Sequence, residues 1–364
     1  MFSNENARQA ENCRFCWMCR HICPVAGATG NEGWTPRARG LMVSMIERGT
    51  EYDREIAETM YHCSMCDACA NDCVTGFKPT DFIREARMLA VAGEFAPPAI
   101  LEEIDRILDT GYIYGLADDD QLRRELETLP QQADTLLYIG QSGRTVAAGV
   151  TCAVISLLKK AGSCFSVLRS EPPSGAFLAD LMGYTGDVQN VAKQTAGAIL
   201  ESGAKRVLVL NPADAVMLRD IYGQWNLLPD VEVVTITTEL SHLLQTKALV
   251  CRQCDLKASL QEPVKLTRGL EETEPLPELI RFLGIDYTPL FLNGKMSRCI
   301  GTPPLYLYDA SVVLRMVQVR LDDARRLGSP VVLTASPDDY YLMSRVSSAD
   351  VKIQDLFTLL DEYC

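Results

Sequence analysis

The chain has 364 residues, 47% of them hydrophobic and 23% charged, and a formal net charge of −13 at pH 7. This length is typical of two or three domains, and the composition is typical of a globular protein. The acidic balance disfavours a nucleic-acid partner, because phosphate binding requires clusters of Lys and Arg.

No apolar segment approaches the roughly 20 residues that a membrane-spanning helix requires. Residues 1–12 are polar and lack the apolar core of a signal peptide. We therefore expect a cytoplasmic protein without a transmembrane segment. Peripheral association with a membrane complex is compatible with both observations.

Cysteine is unevenly distributed, since eight of the 14 cysteines lie between positions 13 and 73. They form two copies of the spacing C-x2-C-x2-C-x3-C. The first copy consists of Cys13, Cys16, Cys19 and Cys23, and it is followed by Pro24. The second copy consists of Cys63, Cys66, Cys69 and Cys73. This spacing is typical of ferredoxins that hold cubane iron–sulfur clusters. Structural zinc prefers isolated C-x2-C pairs, and disulfides are rare in a reducing compartment, so both alternatives fit the pattern less well.

The spacing also predicts which thiols share a cluster. A [4Fe–4S] cube has four iron corners, and three cysteines at intervals of three residues wrap around three of them. The fourth cysteine of each copy serves the other cluster in two-cluster proteins. We assign the first cluster to Cys13, Cys16, Cys19 and Cys73. We assign the second cluster to Cys63, Cys66, Cys69 and Cys23. Every iron then has a ligand, and no catalytic residue is predicted in the chain.

Apolar residues recur at helical spacing in residues 37–48, 53–61 and 81–92. The cluster domain, residues 1–97, is therefore predicted to be mostly helical. Residues 98–133 are acidic and helical in pattern, and we interpret them as a linker packed on the surface.

The two copies of the cysteine motif begin fifty residues apart, with predicted helices between them. This arrangement resembles the helical ferredoxin module. This module occurs in iron–sulfur subunits of anaerobic glycerol-3-phosphate dehydrogenase, of lactate and glycolate oxidation complexes, of heterodisulfide reductase and of succinate dehydrogenase. Residues 35–40 (TPRARG) are similar to the Ser-Pro-Arg-Gly-Arg signature after the first motif, and residues 82–87 (FIREAR) to the helix after the second. Val74 departs from the pattern, because a Pro often follows the eighth cysteine.

Short apolar strands alternate with helices from residue 134 onward. Strands are predicted at residues 135–139, 165–168, 207–210 and 231–236. Helices are predicted at residues 146–161, 188–201 and 215–225. This alternation is typical of a parallel α/β sheet.

The pattern then recurs, because residues 203–214 align with residues 328–339 without a gap at an offset of 125 positions. We interpret the repeat as a duplication of one α/β lobe. The lobes span residues 134–245 and 263–364, and residues 246–262 link them. The predicted fold class is therefore α + α/β, a helical ferredoxin module followed by two duplicated α/β lobes.

Tandem lobes after such a module also resemble the same family, in which they are cysteine-rich repeats with Cys-Cys-Gly and C-x2-C motifs. Most of these cysteines are replaced here. The replacing residues are Gln141 and the segments 171–175 (EPPSG), 211–214 (NPAD) and 336–339 (SPDD), whereas Cys299 is retained. The resemblance therefore implies lobes that hold no Cys-ligated catalytic cluster and serve as a docking scaffold.

The remaining cysteines carry weaker signals. Cys251 and Cys254 form a C-x2-C pair between the lobes, which is either a redox or metal pair or an incidental spacing. Cys152, Cys164 and Cys364 are predicted to be plain thiols.

Several histidines, glycines and arginines each allow two interpretations. His21 and His62 lie in or beside the cysteine motifs, where they either tune a cluster potential or simply pack, and His242 is predicted to be structural. Residues 140–143 (GQSG) are predicted to form a tight turn between a strand and a helix, with phosphate binding as the alternative. The first motif lies near Arg14, Arg20, Arg37 and Arg39, which either offset cluster charge or form solvated surface.

These features predict an iron–sulfur electron-transfer subunit of a larger oxidoreductase. Its two [4Fe–4S] clusters would pass single electrons between a catalytic subunit and a second electron carrier. The resemblance implies FAD or FMN on the catalytic partner. A thiol or heterodisulfide reductase that uses the lobes, and a non-catalytic assembly subunit with structural clusters, are the alternatives.

Overall fold

The structure is a computed structural model that describes residues 2–14, 16–346 and 348–364. A helical N-terminal region is followed by two four-stranded parallel sheets whose strands alternate with helices. The structure therefore confirms a mixed fold of the α + α/β class.

The helical region extends to residue 133. Its first helices are α1 Asn4–Glu11, α2 Met18–Ile22, α3 Pro24–Thr29, α4 Pro36–Glu47 and α5 Arg54–Tyr61. They are followed by α6 Ala68–Asn71, α7 Pro79–Ala92, α8 Pro98–Thr110 and α9 Asp120–Glu127. The helices predicted at residues 37–48, 53–61 and 81–92 correspond to α4, α5 and α7.

Local capping explains where these helices begin. The Thr35 hydroxyl accepts a hydrogen bond from the backbone N–H of Ala38, and Pro36 takes the first position of α4. The Asp53 carboxylate caps α5 in the same way through the N–H of Ile56. Helix α7 begins two residues before the predicted segment, because Pro79 is accommodated at its first turn.

The first sheet has the strand order β2-β1-β3-β4, and all its strands are parallel. The strands are β1 Thr135–Tyr138, β2 Ser166–Val167, β3 Arg206–Val209 and β4 Glu232–Thr235. The accompanying helices are α10 Gln141–Arg144, α11 Ala148–Lys160, α12 Ala176–Met182, α13 Gly186–Glu201, α14 Pro212–Val216, α15 Tyr222–Gln224 and α16 Ile236–Gln245. All four strands predicted for this part of the chain are therefore confirmed.

The second sheet has the equivalent order β6-β5-β7-β8 and is also parallel. Its strands are β5 Lys257–Gln261, β6 Asp286–Tyr287, β7 Val331–Thr334 and β8 Lys352–Asp355. The helices are α17 Pro275–Leu283, α18 Pro303–Tyr308, α19 Ala310–Arg326, α20 Pro337–Ser344 and α21 Leu356–Tyr363. Strands β3 and β7, which belong to the aligned segments 203–214 and 328–339, take the same place in their sheets.

Two stretches predicted to be linkers are instead part of the folded core. Strand β5 lies inside residues 246–262, and its residues Ala258 and Leu260 are fully buried. Its five residues include Lys257 and Ser259, so the strand has no continuous apolar run that the sequence could reveal. Helix α8 likewise buries Ile100 and Ile104 in the same core as the first sheet.

One hydrophobic core extends across both sheets, since residues of β1, β3, β5 and β7 belong to a single buried cluster. A separate cluster joins α4, α5 and α7 through Val43, Met60 and Phe82. None of the helices in the described part of the chain is long and apolar enough to cross a membrane.

Candidate metal centre

The first thiol set surrounds a cavity near the protein surface. Its members are Cys13, Cys16, Cys19 and Cys73. Cys19 lies in α2, and Cys73 follows α6, so the second motif contributes the fourth thiol. Cys16 is exposed, and the other three thiols are partly exposed.

The second thiol set surrounds a cavity in the interior. Its members are Cys23, Cys63, Cys66 and Cys69. Three of them, Cys23, Cys66 and Cys69, are each only 8% exposed. Cys23 lies between α2 and α3, where Pro24 begins the next helix, so the first motif contributes the fourth thiol. The structure thus brings together the same two groups of four cysteines that the spacing predicts.

Each cysteine loop contains a residue in the left-handed backbone conformation. Trp17 has φ 70° and Asp67 has φ 56°, and each follows the second cysteine of its motif at the start of a short helix. This conformation costs a residue other than glycine about 1 kcal/mol or more. Such strain is often found at ligand sites, where the surrounding structure holds the loop in place.

Burial favours the protonated form of three of the thiols, Cys19, Cys23 and Cys69, in the protein alone. It raises the pKa of Cys19 to about 11 and the pKa of Cys23 to about 12. Burial and neighbouring thiols raise the pKa of Cys69 well above its usual value. A group that binds these residues as thiolates must therefore supply positive charge and displace their protons.

Cys66 differs from the other buried thiols. A side-chain hydrogen bond with Cys299 lowers the pKa of Cys66, and the guanidinium of Arg268 acts in the same direction. Cys299, the cysteine retained in the second sheet region, is 2% exposed and belongs to the same hydrophobic cluster as Cys66. The second sheet region thus contributes directly to the surroundings of the second thiol set.

Two buried arginines hold the chain that leads into the second motif. Arg39 donates from Nε to the carbonyl of Thr59 at 2.7 Å and from Nη2 to the carbonyl of His62 at 2.6 Å. Arg87 donates from Nη2 to the carbonyls of Met60 at 2.8 Å and Cys63 at 2.7 Å. These arginines belong to the TPRARG and FIREAR segments, so both segments have a structural role beside the second thiol set.

Two further cations approach from a short π-helical segment, Lys265–Gly269, that follows β5. Lys265 Nζ donates to the carbonyl of Met65 at 3.2 Å, and Arg268 Nε donates to the carbonyl of Cys66 at 2.7 Å. We call the four cations the basic clamp: Arg39, Arg87, Lys265 and Arg268. Lys265 and Arg268 were not predicted from the sequence, because they lie about 200 residues from the loop they bind.

The other arginines near the first motif have different surroundings. Arg20 forms a salt bridge with Glu32 at 2.5 Å, Arg37 lies over the Trp17 ring at 3.4 Å, and Arg14 is exposed. Of the four arginines predicted to offset cluster charge, only Arg39 is buried.

Residues 9–77 match the 4Fe-4S dicluster domain. A probable membrane-anchored ferredoxin of Chromohalobacter salexigens is 24% identical over 304 residues, which cover 77% of this chain and 44% of the relative. An EtfAB:quinone oxidoreductase of Syntrophomonas wolfei is 23% identical over 261 residues, which cover 67% of this chain and 35% of the relative. The chain thus spans less than half the length of these curated relatives.

Among solved structures, a glutamate racemase from Bacillus anthracis is 13% identical with a TM-score of 0.32, covering 63% of this chain and 78% of its own. That likeness is too low to carry an argument. The domain match and the two relatives support an iron–sulfur chain with a 4Fe-4S ferredoxin-type domain and a role in electron transfer.

The residues of the 4Fe-4S domain fit the groups that its motifs imply. Each cavity is lined by four thiols, and Nη2 of Arg268, beside Cys66, is buried without a hydrogen-bond partner among the described residues. No three His, Cys, Asp or Glu side chains in the described residues are arranged to hold a single metal ion. The cysteines surround two cavities instead.

Histidine plays a packing role next to the second motif. His62 stacks on Trp34 with ring centroids 3.8 Å apart, and its Nε2 lies 3.2 Å from the Asp309 carboxylate. Burial lowers the pKa of His62, which favours the neutral ring. His62 therefore joins the 4Fe-4S domain to the second sheet region, while His21 is exposed.

The C-x2-C pair at Cys251 and Cys254 does not form a redox pair. Cys251 forms a disulfide with Cys364, 113 positions away, and Cys254 is a buried free thiol. The prediction that Cys364 is a plain thiol is wrong, because the end of α21 packs beside Cys251, where the N–H of Arg252 donates to the Tyr363 carbonyl. Cys152 and Cys164 remain free thiols.

A carboxylate of the chain itself binds the backbone at the start of the GQSG turn. The Glu171 carboxylate accepts hydrogen bonds from the N–H groups of Ile139 at 2.8 Å and Gly140 at 2.7 Å. Gly140 has φ 80°, as a tight turn requires. A carboxylate from the EPPSG segment thus takes the position where a bound anion would be expected.

Proposed function

We propose that this chain is an iron–sulfur electron-transfer subunit that holds two [4Fe–4S] clusters, one on each thiol set. One observation carries the proposal: each set of four thiols lines one cavity and combines three cysteines of one motif with the fourth of the other. When bound, such clusters supply one-electron chemistry. The protein places the thiols, and the basic clamp provides positive charge beside the second set.

The partners follow from the chain's own chemistry and from the names of its relatives. We infer a catalytic partner that carries FAD or FMN and a second electron carrier. The relative named as an EtfAB:quinone oxidoreductase supports a partner of the electron-transfer flavoprotein type. We also infer a cytoplasmic protein peripheral to a membrane complex, and the relative named as a membrane-anchored ferredoxin supports the association with a membrane.

We also propose that the two sheet regions are duplicated lobes of the CCG type that have lost their clusters. Their equal strand order and the matched positions of β3 and β7 support this proposal. The domain limits would be residues 1–97 for the cluster domain, 98–133 for the connecting helices, 134–245 for the first lobe and 257–364 for the second. The lobes would then cover the second thiol set and provide docking surface.

Iron analysis of anaerobically purified chain tests the proposal. We expect roughly eight irons and eight sulfides per chain, with electron paramagnetic resonance signals after dithionite reduction. Cys66→Ser should remove about half of the iron, whereas Cys152→Ser, at a thiol outside both sets, should keep all of it. Equal iron content in the two variants would contradict the assignment.

The crossed ligation has its own test. Cys23→Ser and Cys66→Ser should affect the same spectroscopic signal, and Cys16→Ser should affect the other one. If Cys23→Ser instead shares its effect with Cys16→Ser, each motif holds its own cluster. Reduction of disulfides by the isolated chain would favour the thiol reductase alternative.

A further inference from the structure

The first thiol set is surrounded by exposed apolar side chains. Trp17, Met18 and Val74 line its cavity, and Val74 is 91% exposed. Large apolar side chains are normally buried, and contiguous exposed groups of them mark interaction sites. The cavity therefore opens onto an apolar surface.

Helix α4 extends this surface. Arg37, Leu41 and Met45 are four residues apart and therefore share one face of the helix. Leu41 is 47% exposed and Met45 is 44% exposed, and Arg37 stacks on Trp17. We call the combined surface the cluster-1 face: Trp17, Met18, Arg37, Leu41, Met45 and Val74.

The thiols of the second set are buried more deeply than those of the first, since Cys23, Cys66 and Cys69 are each only 8% exposed. Lys265 and Arg268 reach its loop from the second sheet region, and Cys299 packs against it. A protein that approaches from solvent therefore reaches the first set through exposed Cys16, while the lobe covers the second.

Charge at the cluster-1 face differs from that of the whole chain. Residues 13–39 contain four arginines and one acidic residue, Glu32, within a chain of net charge −13. Arg20 is paired with Glu32 and Arg39 is buried beside the second thiol set, so Arg14 and Arg37 supply the positive charge at this face. Arg14 and Arg37 line the cavity together with one carboxylate, Asp72. Complementary charge steers partners to such a surface, so an acidic partner is favoured.

We propose that the cluster-1 face is the docking surface for an acidic electron-carrier protein, whose carboxylates surround its own exposed redox group. This inference rests on the proposed function and deepens it, because it assigns entry or exit of single electrons to the first thiol set. The apolar side chains would pack in the centre of the contact, and the arginines would lie at its edge.

Stopped-flow reduction under anaerobic conditions tests the proposal, with reduced flavodoxin as the acidic carrier and methyl viologen radical as a small reductant. The test variant is Leu41→Glu/Met45→Glu, which leaves every thiol in place. The matched control is Leu108→Glu/Leu327→Glu, at side chains that are 43% and 38% exposed elsewhere. We expect the second-order rate constant with flavodoxin to fall on the order of tenfold in the test variant only.

Iron content and the rate with methyl viologen should stay the same in all three proteins, and salt should slow the wild type with flavodoxin. Equal rates in the test and control variants would overturn the docking surface while leaving the electron relay intact. Two other results would also overturn the proposal, because they assign the face to another occupant. One is that the wild type is a dimer and the test variant is not, and the other is that the wild type binds anionic vesicles and only the test variant loses this binding. Failure of methyl viologen to reduce the wild type would instead contradict the proposed function.

Discussion

Replacing Arg268 by Gln removes one positive charge beside Cys66. The guanidinium donates to the Cys66 carbonyl at 2.7 Å and to the Lys295 carbonyl at 3.0 Å, so its position is fixed from two sides. Its charge already favours the Cys66 thiolate. Reduction of the cluster that we propose for the second thiol set adds one negative charge there, and loss of the cation should therefore lower the midpoint potential of that cluster.

The expected size follows from Coulomb's law. Two unit charges about 8 Å apart interact by about 2 kcal/mol at an effective dielectric constant of about 20. For a one-electron couple, a tenfold change in equilibrium constant is about 59 mV, so this energy corresponds to roughly 90 mV. Because Lys265 and solvent compensate in part, we expect the potential to fall by on the order of 50–90 mV.

Potentiometric titration followed by electron paramagnetic resonance measures this change. Arg268→Lys should keep most of the potential, because it keeps the charge. Arg252→Gln removes an exposed arginine whose guanidinium donates to the Glu362 carbonyl in α21 instead of to a cysteine loop, and it should leave the potential unchanged. Equal potentials for Arg268→Gln and Arg252→Gln, with iron content intact, would refute the reasoning.

Three further predictions concern stability. Arg87→Met leaves buried carbonyls, including that of Cys63, without their charged donor and should lower the free energy of unfolding by about 3 kcal/mol in urea titrations. Burial raises the pKa of Glu103 to about 8, so the folded state binds a proton that the unfolded state releases above about pH 4.3. The contribution of Glu103 to stability should therefore fall as pH rises from about 4 to 8, by roughly 5 kcal/mol, and Glu103→Gln should make this part of the profile less steep by that amount. Cys364→Ser opens the disulfide with Cys251 and should reduce stability by about 3 kcal/mol, an effect that reducing agent reproduces in the wild type.

Each of these predictions has a matched control on the surface. Arg54→Met, Glu102→Gln and Cys164→Ser alter exposed residues of the same types and should change stability by less than about 0.5 kcal/mol. If Arg54→Met destabilises the protein as much as Arg87→Met, the carbonyl contacts of Arg87 contribute little. If Glu102→Gln flattens the pH profile, the burial of Glu103 is not its cause. If Cys164→Ser matches Cys364→Ser, the disulfide does not stabilise the fold.

The helices of the cluster domain and the strands of the first sheet were predictable because their signals are local. Thr35 and Asp53 cap α4 and α5 within three residues of the groups they bind, and β1 and β3 are short apolar runs. Strand β5 was not predictable in this way, because its polar residues Lys257 and Ser259 interrupt the apolar pattern. Its pairing with β6 and β7 makes it a strand.

The sequence by itself determined which chemistry the thiols suit. Eight cysteines lie within about sixty residues, and their local spacing matches the corners of a [4Fe–4S] cube. The tertiary structure alone decided what surrounds them. Lys265 and Arg268 reach the second thiol set from 200 residues away, and Cys251 meets Cys364 only when α21 is in place. Such contacts form when the second sheet region packs against the helices, and no local pattern encodes them. The same packing covers one thiol set and leaves the other at an apolar, basic surface.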